Sequence, residues 1–448
     1  MSFALFIVYI LFTYLRPFDT VATDLAPYRP MFILWALTFV SAGVRAMTRK
    51  EVAARPVHFW LLGGLTVVIA LSQIANQWVG GVLPAVAEFS TAAMLMVLCL
   101  LNLTSLRRLQ VTCVVIVCSV VMLAGLSIYS FHTGFMESEL VLRQGASDDD
   151  DLDAPAELRD YAAPADDKSG RFLIRVRSVG FLNDPNDFAQ TMVMVLPLLW
   201  WFYLPGRKLR NLLVVVAPAA LLGYATYLTH SRGALLGIAA LALLAGQRLL
   251  GLARTLMLAA VVVAGISVAS IGGRELSTKE QSAAQRIEAW QEGISMLRRQ
   301  PVFGVGFGNF TDHHQLTAHN SFVLCFSELG LAGYFAWLGL IVLTFKGLEQ
   351  AIRLAPANAP ERRLAVMLKA SLTAFLACAW FLSRTYSPGL FVLLALCVAS
   401  WYSVRHINGP APQPEMQEPP RWSASTLLAM IASITAVYMF VLLQRNTG

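Results

Sequence analysis

Charge is what this chain has least of. Only 14% of its 448 residues are Asp, Glu, Lys or Arg, while 57% are hydrophobic; soluble domains carry about 25% charged residues. That balance excludes an ordinary soluble domain and leaves a chain that crosses a membrane many times. Cysteine is scarce as well. Cys99, Cys113, Cys118, Cys325, Cys378 and Cys397 all fall in apolar stretches. None has metal-ligand spacing or a plausible partner in an outer loop, so they read as packing residues. No tandem repeat is present, and no inverted pair of broken helices of the transporter kind. No small-residue cleavage site follows the first apolar run, which is therefore expected to be a retained helix. With charge so sparse, the net +7 bears on topology and anionic lipid groups and not on nucleic acid.

What is present is a series of apolar runs. Candidate spans are Phe3–Leu15, Pro30–Met47, Val57–Val79, Val82–Leu103, Leu109–Phe131, Asp187–Leu204 and Asn211–Thr229. They continue with Gly233–Leu250, Thr255–Gly273, His319–Phe345, Leu364–Ser383, Pro388–Val404 and Ser425–Leu443. The connections at 45–55, 107–108, 207–210, 248–254, 346–369 and 405–421 all carry Lys or Arg, the first five with a net positive charge, and alternate as cytoplasmic loops do. The N-terminus is then inside, and the two long connections, 132–186 and 274–318, face outward within a single integral membrane domain, 1–448. The expected fold is all-α: a polytopic membrane helix bundle of 12–13 transmembrane helices with two long periplasmic loops.

The first outer loop begins acidic and rich in alanine and proline. Its run Asp148–Asp151 lacks the alternating ligands and glycine of a calcium loop and reads as a solvated, flexible face. The loop ends differently, in RFLIRVRSVGFLNDPNDFA, where Arg171, Arg175 and Arg177 alternate with apolar residues. Asp184, Pro185 and Asp187 fit an N-cap, a first-turn proline and an acidic third position. A tight turn, THSRG, joins two apolar runs further on; its Arg232 reads equally as a snorkelling anchor or as a guanidinium facing a cavity.

The second outer loop combines charge, histidine, glycine and aromatic residues. Ile287, Trp290, Ile294 and Leu297 recur at helical spacing, with Arg286, Glu288, Glu292 and Arg298 opposite, as in a helix lying flat in the membrane interface. Pro301 ends it, and Gly304, Gly306 and Gly308 follow. The GVGFGN glycines lack the preceding strand of a nucleotide site. His319 stands where the loop re-enters the membrane, directly before Asn320. A histidine there is either a helix cap or a proton-transfer group.

Outward arginines bind phosphate oxygens bidentately at any relevant pH, and His319 can exchange a proton near neutrality. Together they suit group transfer from a lipid pyrophosphate. Arg286 and Arg232 would stabilise the leaving group, and Arg175, Arg177, Arg171 and Asn320 would hold substrate. No cofactor is required, and no carboxylate cage for a metal stands out.

The order R-x-x-x-W, P-x-x-G-x-G, HN-S-F and E-L-G-L-x-G resembles the O-antigen ligase and polymerase superfamily. Its residues here are Arg286, Trp290, Pro301, Gly304, Gly306, His319, Asn320, Ser321, Phe322, Glu328, Leu329, Gly330, Leu331 and Gly333. FLNDPNDFA and THSRG are similar to that pattern too. The resemblance implies a glycosyltransferase of the C type in the bacterial inner membrane, working at its periplasmic face without metal. Its donor would be an undecaprenyl-pyrophosphate-linked glycan, its acceptor a sugar of lipid A-core, in a setting of membrane lipids. The chain ends soon after its last apolar run, with no added domain for a protein acceptor, which favours a ligase over a polymerase or a protein O-oligosaccharyltransferase. A glycolipid flippase is the alternative from another class; it would need polar groups on both sides of the bilayer midplane, whereas here they crowd one face.

Overall fold

The computed structural model describes residues 2–49, 52–53, 56–145, 172–249, 251, 253, 257, 281–405, 407 and 419–447. The Asp148–Asp151 run, Arg171 and, Met257 apart, the Thr255–Gly273 candidate span lie outside the described residues. In a bilayer each backbone amide must find a partner within the protein, which leaves helices as the economical form. The long helices are α1 (Ser2–Leu15), α2 (Pro30–Arg49), α3 (Pro56–Ala75), α4 (Val82–Asn102), α5 (Leu106–Thr133) and α6 (Pro185–Leu199). They continue with α7 (Lys208–Leu228), α8 (Arg232–Leu249), α9 (Gln281–Arg299), α10 (Ser321–Leu354), α11 (Pro360–Ala379), α12 (Pro388–Ser403) and α13 (Ser423–Thr447). Among the described residues, seven helices are long and apolar enough to cross a membrane. The protein is an all-α multi-pass membrane bundle.

Helix α10 is the hub, packing against α3, α9, α11, α12 and α13. Its 34 residues do not form one rod. Gly330 adopts φ 61°, ψ −165° and interrupts the helix, where the sequence reading expects an unbroken span. The break is filled by the loop after α9. Val305 N donates to Ser327 O (2.9 Å) and Gly306 N to Glu328 O (3.0 Å), while Leu331 N donates to Pro301 O (2.8 Å) and Ala332 N to Val302 O (3.1 Å). A helix can break at membrane depth when another segment satisfies the opened backbone groups. Only glycine permits this approach: a Cβ on Gly304 would stand 2.4 Å from the Glu328 backbone, and one on Gly330 would stand 2.4 Å from Val302. The far side of the loop is tied to α3 by Gln73 Nε2 to Phe307 O (2.7 Å) and Asn76 Nδ2 to Gly304 O (3.0 Å).

The basic connections gather at one end of the bundle. Arg45 donates to Thr104 Oγ1 (2.6 Å), and Arg363 donates to the carbonyl oxygens of Trp200 and, at 3.0 Å, Tyr203. The opposite end carries the outer connections. There the sequence reading needs two amendments. Part of the first outer loop is a two-stranded antiparallel ribbon, β1 (Val141–Gly145) with β2 (Phe172–Val176), registering Leu142 against Arg175. The alternation of arginine with apolar residues was the signal of that strand. The second amendment concerns α9, whose apolar stripe faces protein and not lipid: Trp290 is 1% exposed and packs against Trp380, Phe381 and Phe440.

Candidate functional site

The site grows from helix ends away from the Arg45 and Arg363 contacts. Asp184 caps α6 as its sequence predicts, its Oδ1 accepting from Asn186 N (2.6 Å) and Asp187 N (3.3 Å), with Pro185 in the first turn. The cap leaves the side chain of Asn186 to receive Arg175. Arg175 is 2% exposed; its Nη2 donates to Asn186 Oδ1 (3.0 Å) and its Nε to Thr229 O (2.8 Å). Thr229 belongs to the THSRG turn, where His230 takes a left-handed φ of 51° and Arg232 opens α8. Three segments distant in sequence thus meet through one guanidinium, the β2 strand, the α6 N-terminus and the turn before Arg232.

His319 is delivered from the other side. Its φ of 45° lies in the left-handed region, which costs on the order of 1–3 kcal/mol for a non-glycine residue and persists only where its surroundings impose it. They do so here on both flanks. Before it, Trp290 Nε1 donates to Ala318 O (2.9 Å). After it, Asn320 caps α10, its Oδ1 accepting from Phe322 N (2.9 Å) and Val323 N (3.1 Å). The capping role that His319 might have had belongs to Asn320. With Oδ1 so committed, the buried Nδ2 of Asn320 makes no hydrogen bond within the protein. Arg286 lies one helical turn before Trp290 on α9, hence on the same side of that helix.

The connection from α11 to α12, SRTYS, closes the site. Ser321 Oγ donates to Leu382 O (2.5 Å) and accepts from Arg384 N (2.8 Å), and Thr385 Oγ1 donates to Ser321 O (2.7 Å). This clamp sets Arg384 beside the α6 N-terminus, where its Nε pairs with Asp187 and its Nη2 stands 3.8 Å from Asp184. The result is a cavity of about 340 Å³ whose lining includes Asn186, Asp184, His319, Arg384, Glu88, Glu328, Tyr386 and Phe307. Glu328, on the broken helix, is 3% exposed. Its carboxylate faces the amides of Gly308 and Phe310 and the Tyr386 hydroxyl, and its Oε2 makes no hydrogen bond within the protein. Burial first, then the adjacent Glu328 carboxylate, pushes the Tyr386 phenol well above its usual value, which keeps it a neutral O–H donor.

Of the residues singled out by sequence, His319 lines the cavity, while Arg175 does not line it but holds Asn186, which does, and Arg232 lies next to the turn that Arg175 holds. Arg177 goes elsewhere: its Nε and Nη2 donate to the carbonyl oxygens of Glu139 (3.1 Å) and Ser138 (2.6 Å), and it does not line the cavity. Sequence reasoning missed Arg384 and Tyr386. Their signal was a polar turn between two apolar runs, the same kind that drew attention to THSRG. Glu328 appeared in sequence reasoning only within the E-L-G-L-x-G pattern; the groups it faces, the Gly308 and Phe310 amides and Tyr386, come from other parts of the chain. Among the described residues no group of three or more His, Cys, Asp or Glu is arranged to hold a metal ion.

The apolar helices and the polar cavity near their ends make this a multi-pass membrane helix bundle with a candidate site. Residues 217–338 match the family model described as O-antigen ligase, so this stretch is similar to that family. The match takes in Arg232, Arg286, Trp290, the glycine loop, His319 and the broken helix up to Leu338. No curated protein matches the chain.

Proposed function

We propose that this protein is an O-antigen ligase. In this reading it transfers a glycan from undecaprenyl pyrophosphate to a sugar hydroxyl of lipid A-core, at the periplasmic face of the bacterial inner membrane. The observation that supports the reading is that His319, held in a left-handed conformation, lines one cavity together with Asn186, which receives Arg175 from behind. A proton acceptor and fixed guanidinium groups at one small site are what displacement of a pyrophosphate requires.

His319 takes the proton of the acceptor hydroxyl as that oxygen attacks the anomeric carbon of the donor. The bond from that carbon to the pyrophosphate oxygen breaks, and the leaving group departs as an anion. Arg232 and Arg286 face the developing charge, and Arg175 orders the wall between them and the cavity. Guanidinium groups supply the positive charge, so the scheme calls for no metal. The crowding of polar side chains at one end favours chemistry at a surface over passage through the bilayer. Purified protein, lipid-linked glycan and lipid A-core, read by product mass, test this. A single covalent adduct with lipid A-core, formed without an ion gradient, is expected. Elongation of the lipid-linked glycan would make the protein a polymerase, and translocation without bond formation a flippase.

A further inference from the structure

Part of the cavity wall has no role in the scheme above. Glu328 stands there, buried, with Oε2 accepting no hydrogen bond. Beside it is the Tyr386 hydroxyl, which faces the same carboxyl group. Glu88, on α4, adds a second carboxylate to the same wall. Phe307, whose ring lies 4.6 Å from that of Tyr386 between centroids, supplies an apolar face. A buried carboxylate oxygen facing a cavity calls for a donor from whatever enters. Phosphate has none to offer when ionised, and the Glu88 carboxylate repels it. A sugar offers several hydroxyl donors along its edge and an apolar ring face. The volume suits one terminal sugar and not a whole glycan.

We propose that the Glu328–Tyr386–Glu88 wall is the subsite for the acceptor sugar, and that it takes a neutral sugar and rejects an acidic one. Identifying the sugar as the acceptor rests on the ligase reading; the preference for a neutral sugar does not. Glu328 also faces the amides of Gly308 and Phe310, and a purely structural carboxylate would end its role there. Glu328→Gln separates the two. The amide keeps an oxygen for those N–H groups but turns the second acceptor into a donor.

The test is direct binding of a short alkyl β-glucoside, and of the matching glucuronide, to the full chain in lipid nanodiscs, followed by saturation-transfer NMR. The wild type should bind the glucoside at least about tenfold more tightly than the glucuronide. Glu328→Gln should weaken the glucoside about tenfold, with Tyr386→Phe weakening the glucoside in the same direction. Glu88→Gln, on a different helix, should narrow the preference even if Glu328→Gln fails to fold. Equal binding of the two probes by the wild type overturns the proposal, as does a stable Glu328→Gln protein that binds the glucoside like the wild type. In ligation assays the acceptor KM should rise in these variants while the donor KM holds. Preserved glucoside selectivity without any transfer would sink the ligase reading and leave the sugar subsite standing; transfer that is indifferent to acceptor charge would do the reverse.

Discussion

Replacing Gly304 with alanine probes the feature on which the whole site depends, the insertion of the 301–306 loop into the broken helix α10. Gly304 has φ +68°, and a Cβ there would lie 2.4 Å from the Glu328 carbonyl carbon and 2.5 Å from its oxygen. Left-handed backbone costs an L-residue roughly 1–2 kcal/mol. Forcing a methyl group into a packed interior costs roughly 1–3 kcal/mol more. The clash is with backbone, so no flexible side chain can swing away. Relief must come from withdrawing the loop, at the expense of the Val305–Ser327 and Gly306–Glu328 hydrogen bonds. The expected loss of stability is therefore about 2–5 kcal/mol. Gly206 and Gly308 are the controls: φ is +79° and +78°, and nothing lies within 4 Å of either added Cβ. Alanine at those sites carries the backbone strain alone, about 1–2 kcal/mol. Thermal unfolding in nanodiscs, followed by tryptophan fluorescence, should rank Gly304→Ala well below both controls, with Gly330→Ala beside it. If Gly304→Ala unfolds together with Gly206→Ala, the loop does not occupy the break and the account of the site fails with it.

His319→Ala should lower turnover by about a hundredfold to ten-thousandfold with donor binding retained, and His319→Gln should not restore it; near-normal ligation by the Gln variant in single-turnover assays would make His319 a positioning residue. Arg232→Lys and Arg286→Lys should recover little of the activity lost in the alanine variants, because an ammonium cannot reproduce the bidentate fork; full activity in either lysine variant refutes this. Arg384→Ala leaves Asp187 buried without its cation and should destabilise the protein, while adding Asp187→Asn should recover much of the folding; chemical denaturation of the single and double variants reads the coupling. Ligation should survive exhaustive EDTA treatment, and activity lost to EDTA and restored by magnesium or manganese would point first to Asp184, Asp187 and Glu328.

Most of the architecture was legible along the chain because it follows from local properties. Apolar runs of spanning length, the basic connections gathered at one end, the Asp184 cap and the helix around Trp290 each depend on residues a few positions apart. Hydrophobic burial and backbone satisfaction act at that range, so spacing alone discloses them. His319 was legible too, since a histidine at a membrane helix end is a local anomaly.

The site itself was decided by contacts that local pattern does not encode. Arg175 reaches Thr229 across 54 residues and Gln73 reaches Phe307 across 234. One arginine of the alternating stretch, Arg175, turned inward while Arg177 went to the carbonyl oxygens of Ser138 and Glu139, a distinction set by the ribbon's pairing and not by its composition. The apolar face of α9 is the same whether lipid or protein covers it, and only the fold shows protein. Glu328 reads by sequence as one residue of an apolar helix. Its place facing a cavity, beside Tyr386, arises because a glycine loop opens the helix at Gly330, where steric complementarity between two backbones distant in sequence does what neither sequence does alone.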